Sequence, residues 1–128
     1  MDLDTLLNKN QKEAATYLDS HLRIIAGAGS GKTRVVTYRI AHLIQDIGID
    51  PRSILAITFT NKAANEMKER VNEIVGIHGS GTLICTIHSL CVRLLRQHIN
   101  VLNYPSNFTI MDEEDQKALI KKLYTQLE

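Results

Sequence analysis

Residues 22–47 read LRIIAGAGSGKTRVVTYRIAHLIQDI, which is a short apolar run, a loop of small residues and a stretch with helical periodicity. The apolar run contains the β-branched pair Ile24 and Ile25, which is typical of a buried strand. Over residues 33–47 apolar side chains recur every three or four positions, which predicts an amphipathic helix closed by Gly48. The segment therefore predicts a strand, a glycine-rich loop and a helix in direct succession.

The loop itself, residues 26–33, reads AGAGSGKT and differs from the phosphate-binding pattern G-x-x-x-x-G-K-[ST] only in having Ala26 at the first glycine position. Small residues let main-chain N–H groups converge on one phosphate, and the positive end of the following helix adds to the attraction. Lys32 is expected to bring its charge to the β- and γ-phosphates, and Thr33 to offer its hydroxyl to the Mg²⁺ bound with the nucleotide. These two residues are the catalytic candidates. The predicted nucleotide-binding residues of the loop are Ala26, Gly27, Ala28, Gly29, Ser30, Gly31, Lys32 and Thr33.

The alternative for this loop is a glycine-rich turn with an incidental lysine. An apolar strand before the loop and an amphipathic helix after it are the context that a phosphate-binding loop requires, and the sequence predicts both. We therefore interpret residues 26–33 as a P-loop. Kinases, GTPases and motors share this loop, so it does not identify the reaction.

The same plan of strand and helix continues along the chain. A helix over residues 9–18, capped by Asn8, comes first; strands are predicted at 53–59 and 82–86, and helices at 61–75 and 88–98. Alternation with short connections predicts an α/β fold in which a parallel sheet is flanked by helices. Residues 99–128 differ in kind, because a polar loop there is followed by an acidic run and a C-terminal helical segment.

The composition is that of a globular domain with little overall charge. The 128 residues carry a net charge of +1, so any contact with nucleic acid has to come from a local surface rather than from bulk charge. No apolar run is long enough to span a membrane and the N-terminus lacks a signal-peptide layout, so we expect a cytoplasmic protein without membrane contact. Cys85 and Cys91 lack C-x-x-C spacing and are interpreted as buried thiols rather than zinc ligands.

Three further segments stand in order around the loop: LNKNQKEA at residues 7–14, ITFTNKAANEMKER at 57–70 and TIHSL at 86–90. Together with AGAGSGKTR at 26–34, they resemble the Q motif and motifs I, Ia and Ib of the UvrD/Rep/PcrA group of superfamily 1 DNA helicases. The resemblance covers nearly the whole chain. It implies an incomplete RecA-like P-loop NTPase fold, with residues 1–98 as part of an ATP-binding lobe and 99–128 as the start of an α-helical insertion subdomain. ATP and Mg²⁺ are the implied cofactors.

The resemblance also implies how the base of the nucleotide is bound. In the family, the Q-motif glutamine reads the adenine edge, a role that falls on Gln11, and an amide suits that edge because it holds a donor and an acceptor side by side. The arginine after the P-loop threonine packs against the base, a role that falls on Arg34, whose guanidinium plane can stack on an aromatic face. The alternative for both is an exposed residue on a helix surface.

Motifs Ia and Ib line the groove for single-stranded DNA in the family, which implies Phe59, Thr60, Asn61, Lys62, Thr86 and His88 as DNA-binding residues. Both segments follow predicted strands, and ligands of open α/β sheets bind at the carboxyl ends of strands. Phe59 could stack on a base. The alternatives are that Phe59 belongs to the core, that Asn61 only caps its helix, and that His88 is structural.

An acidic run, Asp112 to Asp115, follows the mostly apolar residues 108–111 (FTIM) and so resembles the family's motif II, whose Asp holds Mg²⁺ and whose Glu positions water. We interpret it instead as a helix start, because Asp112 stands where an N-cap is expected and a helical pattern follows at once. The family has a similar acidic helix start before motif II. On that interpretation we expect the chain to stop before the water-positioning carboxylates, the arginine fingers and the second RecA-like lobe that completes the nucleotide site in the family. It should therefore bind nucleotide weakly and hydrolyse it poorly.

The resemblance implies that the full-length protein is an enzyme, an ATP-dependent 3'-5' DNA helicase that hydrolyses ATP to move along single-stranded DNA and unwind duplexes. Its partners would be single-stranded or partial duplex DNA and the remaining helicase domains. One alternative is a stand-alone module that binds nucleotide and single-stranded DNA without helicase activity. Another is a small P-loop kinase, which the length would suit, although TFTNKAA at residues 58–64 stands where a kinase would need an acceptor site and lid arginines.

Overall fold

A computed structural model describes residues 1–79 and 81–127 of the chain. Its elements in order are α1 (Leu3–Leu6), α2 (Lys9–Thr16), α3 (Lys32–Gln45), β1 (Leu55–Thr58), α4 (Asn61–Val75), β2 (Leu83–Thr86), α5 (Ile87–His98) and α6 (Glu113–Leu127), with short 3-10 turns at Pro51–Ser53, Gly76–Gly79 and Ile99–Leu102. The chain divides into two compact units, Met1–Leu90 and Cys91–Glu128, so α5 contributes to both. The domain boundary expected from the sequence, between an ATP-binding lobe (residues 1–98) and an insertion subdomain (residues 99–128), stays a prediction.

The sheet of the first unit confirms the predicted α/β class in its coarse form. β1 and β2 are parallel neighbours, in a register that pairs Leu55 with Leu83 and Thr58 with Thr86. The helix α4 connects them and packs on the sheet where Ala56 is buried. The two strands therefore end at the same edge, which brings the residues that follow them close together.

Two clusters of buried apolar side chains hold the first unit together. The larger one joins α3, α4 and the sheet through Ile40, Ala41, Ile44, Ala56, Ala64, Met67, Val71, Val75 and Ile84. The smaller one joins α1, α2 and α3 through Leu3, Leu7, Ala15 and Val35. Because α3 belongs to both, this helix fixes α2 relative to the sheet.

The predicted strand at residues 22–26 is wrong. No described strand pairs with this run, and Ile25 is 85% exposed. The preference of Ile24 and Ile25 for strands is a preference for a pleated surface with partners, and without a neighbouring strand their N–H and C=O groups gain nothing from that conformation. On the sheet itself, one face of β1 is not covered by any helix of the described residues, and Leu55 and Ile57 on that face are half-exposed.

Smaller differences from the predicted elements have local causes. The helix α2 ends at Thr16 rather than at residue 18, because Tyr17 turns to an extended conformation. The short helix α1, which the sequence did not predict, begins at the side-chain cap of Asp2. Of the two cysteines predicted to be buried, Cys85 is half-buried and Cys91 is exposed.

In the second unit, Arg96 fixes the loop before α6. Its guanidinium lies 4.3 Å from the centroid of the Phe108 ring and donates a hydrogen bond of 2.7 Å to the carbonyl of Ser106. None of the helices in the described ranges is of a length and apolarity that would let it cross a membrane.

The junction between the loop and α3 depends on the backbone of Gly31, which precedes the helix with a left-handed φ of 84°. A Cβ atom at this position would lie 2.8 Å from Nε2 of Gln11. At Gly27, by contrast, a Cβ atom would meet nothing within 4 Å and φ is ordinary. Only glycine satisfies both conditions at position 31.

We therefore expect Gly31→Ala to destabilise the first unit by at least the roughly 1–2 kcal/mol that a left-handed conformation costs an L-residue. Displacement of the Gln11 amide adds to this loss. Gly27→Ala is the matched control and should not lower the free energy of unfolding, because its Cβ atom meets nothing and its φ is ordinary. Urea unfolding of the three proteins measures the difference. Equal stability of the two variants would contradict this account of the junction.

Candidate functional site

The glycine-rich loop (residues 26–31) curls around the side chain of Lys32. The Lys32 ammonium donates hydrogen bonds to the carbonyl oxygens of Ala26, at 3.0 Å, and Gly27, at 2.7 Å. Across the loop, the N–H of Ser30 donates to the carbonyl of Gly27 at 3.4 Å. An ammonium has three N–H donors, so one remains beyond these two carbonyls. The loop thus carries a fixed positive charge at the start of α3, where the helix dipole also favours an anion.

A cavity of about 260 Å³ opens beside this charge. It brings together four predicted nucleotide-binding residues, Gln11, Ala26, Ser30 and Lys32, with six that the sequence did not predict, Asn8, Asn10, Ala14, Ile24, Ile25 and Val35. Its lining combines apolar side chains with polar ones, which suits a flat ring with a hydrogen-bonding edge. Typical ligand pockets enclose about 300–1,000 Å³, so this cavity is of a size to hold part of a nucleotide.

Gln11 connects the cavity to the loop. Its Nε2 donates to the carbonyl of Ser30 at 3.0 Å, and its Oε1 accepts the N–H of Asn8 at 3.1 Å. In return, the Asn8 side chain accepts the N–H of Gln11 at 2.9 Å, which makes a capping box at the start of α2. A glutamine amide has two N–H donors and two acceptor lone pairs, so one of each remains for a ligand.

The other two predicted nucleotide residues lie elsewhere around α3. Arg34 does not line the cavity of Gln11; its Nη2 donates to the carbonyl of Leu6 at 2.8 Å, and its guanidinium lies 5.5 Å from the centroid of the Tyr38 ring. In this structure its guanidinium lies beside the Tyr38 ring. Its packing on the base of a nucleotide stays a prediction. Thr33 is exposed in the first turn of α3.

The predicted DNA-binding residues lie at the edge of the sheet where β1 and β2 end. Phe59 follows β1 directly and is 99% exposed, so the alternative that it belongs to the core is wrong. Thr60 caps α4, because its side chain accepts the N–H of Ala63 at 3.1 Å. The expectation that Asn61 is the cap is therefore wrong by one residue; Asn61 and Lys62 are exposed in the first turn of the helix.

Of the two residues predicted to bind DNA after β2, one is exposed and the other is buried. Thr86 is only 6% exposed, and its hydroxyl accepts the N–H of Ser89 at 3.2 Å and bonds the Ser89 hydroxyl at 2.9 Å. These bonds cap α5, which is why the helix begins at Ile87 rather than at His88. His88 is exposed. The structure thus brings Phe59, Asn61, Lys62 and His88 to solvent and keeps the side chain of Thr86 inside.

The acidic run near the C-terminus starts a helix, as predicted. The N–H of Asp115 donates to Oδ1 of Asp112 at 2.8 Å, and the N–H of Asp112 donates to Oδ2 of Asp115 at 3.4 Å. Residues 108–111 form no strand before it. Within the described ranges, no group of three or more His, Cys, Asp or Glu side chains is placed to hold a metal ion.

Comparisons with known proteins bear on the same residues. The family model for the UvrD/REP helicase N-terminal domain matches residues 7–128. The chain is similar to two proteins that carry the name ATP-dependent DNA helicase PcrA, one from Staphylococcus aureus strain Mu50 and one from Staphylococcus epidermidis strain RP62A. Each is 50% identical over 115 residues, which make up 90% of this chain and 16% of the relative. The chain therefore spans about a sixth of the length of these relatives, and it belongs to the UvrD/REP helicase N-terminal domain family.

Proposed function

We propose that the chain is the N-terminal ATP-binding part of an ATP-dependent DNA helicase and forms the beginning of a RecA-like lobe. The observation that carries the proposal is the meeting of Lys32 and Gln11 at one loop and one cavity. The name of the relatives, ATP-dependent DNA helicase, supports the same nucleotide and the same substrate class. In the whole protein, ATP hydrolysis would drive 3'-5' movement on single-stranded DNA and unwinding of duplexes.

Binding of the triphosphate would use three features of the loop. The main-chain N–H groups of residues 27–31 would surround the phosphate, which is how P-loops bind anions. Lys32, now bonded to the carbonyls of Ala26 and Gly27, would turn its remaining N–H to a phosphate oxygen. Thr33 is exposed at the start of α3 and would hold Mg²⁺ through its hydroxyl, and the metal would neutralise charge on the phosphates. The free donor and acceptor of Gln11 would face the adenine edge.

Hydrolysis would need groups that the described residues do not place at this site. Asp112 and Asp115 are bonded to each other's N–H groups as a helix cap. We therefore infer that the carboxylates which position water belong to the remaining domains of the longer protein, and that this chain alone hydrolyses ATP slowly. This observation also favours a second function, a module that binds nucleotide and DNA without unwinding.

Single-stranded DNA would lie across the edge where β1 and β2 end. The exposed ring of Phe59 offers a stacking platform, Lys62 offers charge, and Asn61 and His88 offer hydrogen bonds to phosphates or bases. The hydroxyl of Thr86 is already bonded in its cap, so that residue would support the surface rather than contact DNA with its side chain. A strand bound here would contact the sheet on which α3, and hence the nucleotide loop, is packed through α4.

We expect Lys32→Ala to weaken binding of Mg-ATP by about 10- to 100-fold, because a hydrogen bond to a charged group is worth about 1.5–3 kcal/mol. Lys68→Ala, on the exposed face of α4, removes the same charge away from the loop and is the matched control. Titration of a fluorescent ATP analogue measures all three affinities. Identical curves for the wild-type chain and Lys32→Ala would remove the basis of the ATP site.

We expect Phe59→Ala to weaken binding of single-stranded oligonucleotide by about 5- to 150-fold, the equivalent of about 1–3 kcal/mol per stacked base, without lowering the melting temperature. The ring makes no core contacts that its removal could lose. Lys62→Ala should weaken binding less and reduce its salt dependence. Tyr104→Ala, another exposed aromatic, is the control. Unchanged binding of both loop variants at low salt would contradict the DNA surface and leave the ATP site standing.

A further inference from the structure

The side chain of Arg39 joins α3 to the end of α2. Its Nη1 donates to three carbonyl oxygens there, those of Tyr17 at 2.6 Å, Ala14 at 3.1 Å and Ala15 at 3.4 Å. Within the described ranges, every hydrogen bond of this guanidinium goes to a main-chain carbonyl. The last carbonyls of a helix have no partner inside it, and a cation at that end also opposes the helix dipole. Arg39 is thus a cap for α2 that comes from another element.

The helix α2 has little stability of its own. It has eight residues, whereas isolated helices shorter than about 12–15 residues are marginal in water. Its contacts with the residues around α3 include hydrogen bonds at both ends, from Arg39 at the carboxyl end and from Gln11 to Ser30 at the amino end, and the fully buried Ala15 shares an apolar cluster with Val35. These hydrogen bonds have directional geometry. A change at one end therefore changes the angle at which the other end meets the loop.

Arg39 also lies near the apolar run that lines the nucleotide cavity. It lines a shallow second cavity together with Leu22 and Ile24, and Ile24 faces the nucleotide cavity as well. One guanidinium thus contacts the helix that presents Gln11 and neighbours the apolar run that also lines the cavity. The loop with Lys32 leads directly into α3, and none of the three hydrogen bonds of Arg39 goes to it.

We propose that Arg39 is a positioning residue that sets how the site recognises the base of a nucleoside triphosphate, by holding α2 so that the Gln11 amide faces the cavity. The inference rests on the proposed function, since it assumes a triphosphate held by the loop. Arg39 is proposed to affect recognition of the base and not binding of the phosphates. Arg39 touches neither.

The test compares affinities of the 128-residue chain for three probes in Mg²⁺: ATP, GTP and inorganic tripolyphosphate. Arg39→Met should weaken ATP binding by about tenfold, the equivalent of about 1.4 kcal/mol, and bring it close to that of GTP. Binding of tripolyphosphate should not change. Arg39→Lys keeps the charge but loses the planar fork, so an intermediate loss for ATP is expected. Arg93→Met, an exposed arginine of α5, is the matched control and should behave as wild type.

A double-mutant cycle with Gln11→Ala separates positioning from general support of the fold. If Arg39 acts through Gln11, Arg39→Met causes no further loss of preference for ATP once Gln11 is removed. Equal losses for ATP and tripolyphosphate, or an undiminished effect in the Gln11→Ala background, would overturn the inference. Should Arg39→Met unfold the chain, Arg39→Lys with and without Gln11→Ala is compared by the same criteria.

The same three probes distinguish an error in the proposed function from an error in the role of Arg39. A wild-type chain that binds none of the three probes would remove the nucleotide site and the inference with it. A wild-type chain that binds tripolyphosphate but does not distinguish ATP from GTP would overturn the role of Arg39 and leave the phosphate-binding loop intact.

Discussion

The burial of α3 on two sides is the constraint on which the rest of the first unit depends. On one side Val35 packs with Ala15 of α2, and on the other Ile40 and Ile44 pack with α4 and the sheet. A single helix that belongs to two apolar clusters cannot shift toward one without opening space in the other, because protein interiors are close-packed. The position of the loop at its amino end is therefore determined from both directions.

Under the proposed function, this arrangement would give a physical basis for communication between a nucleotide and a DNA strand. The glycine-rich loop leads into α3, and the exposed edge with Phe59 belongs to the sheet and to α4, which share the larger cluster with α3. Ligands at the two sites would contact opposite ends of the group of elements (α3, α4 and the sheet) that shares this cluster. A change in the loop can then alter the edge through rigid contacts, without a flexible linker between them.

Local signals made much of this structure predictable from the sequence. The side-chain cap of Asn8, the helix over residues 61–75 and the acidic cap at Asp112 all depend on local sequence, and the structure confirms them. The position of Phe59 was open because strand alternation allows either face, and only the three-dimensional contacts show that its ring is exposed.

Non-local contacts explain what the sequence did not show. The run with Ile24 and Ile25 resembles a strand in composition, but pairing decides strands, and its partner cannot be read from the run itself. Arg39 looks like an ordinary helix-surface arginine, since the carbonyls that it caps lie 22–25 residues earlier in the chain. The structure places Arg34 toward Leu6, a contact across 28 residues that no local pattern contains.

The two-stranded sheet leaves each strand with one side unpaired among the described residues, and half-exposed Leu55 and Ile57 lie on β1. Unpaired edges with apolar side chains are templates for strands from other molecules. Concentrated preparations of this chain by itself should therefore associate edge to edge. In a longer polypeptide the same edges would let other segments of the chain extend the sheet by adding strands.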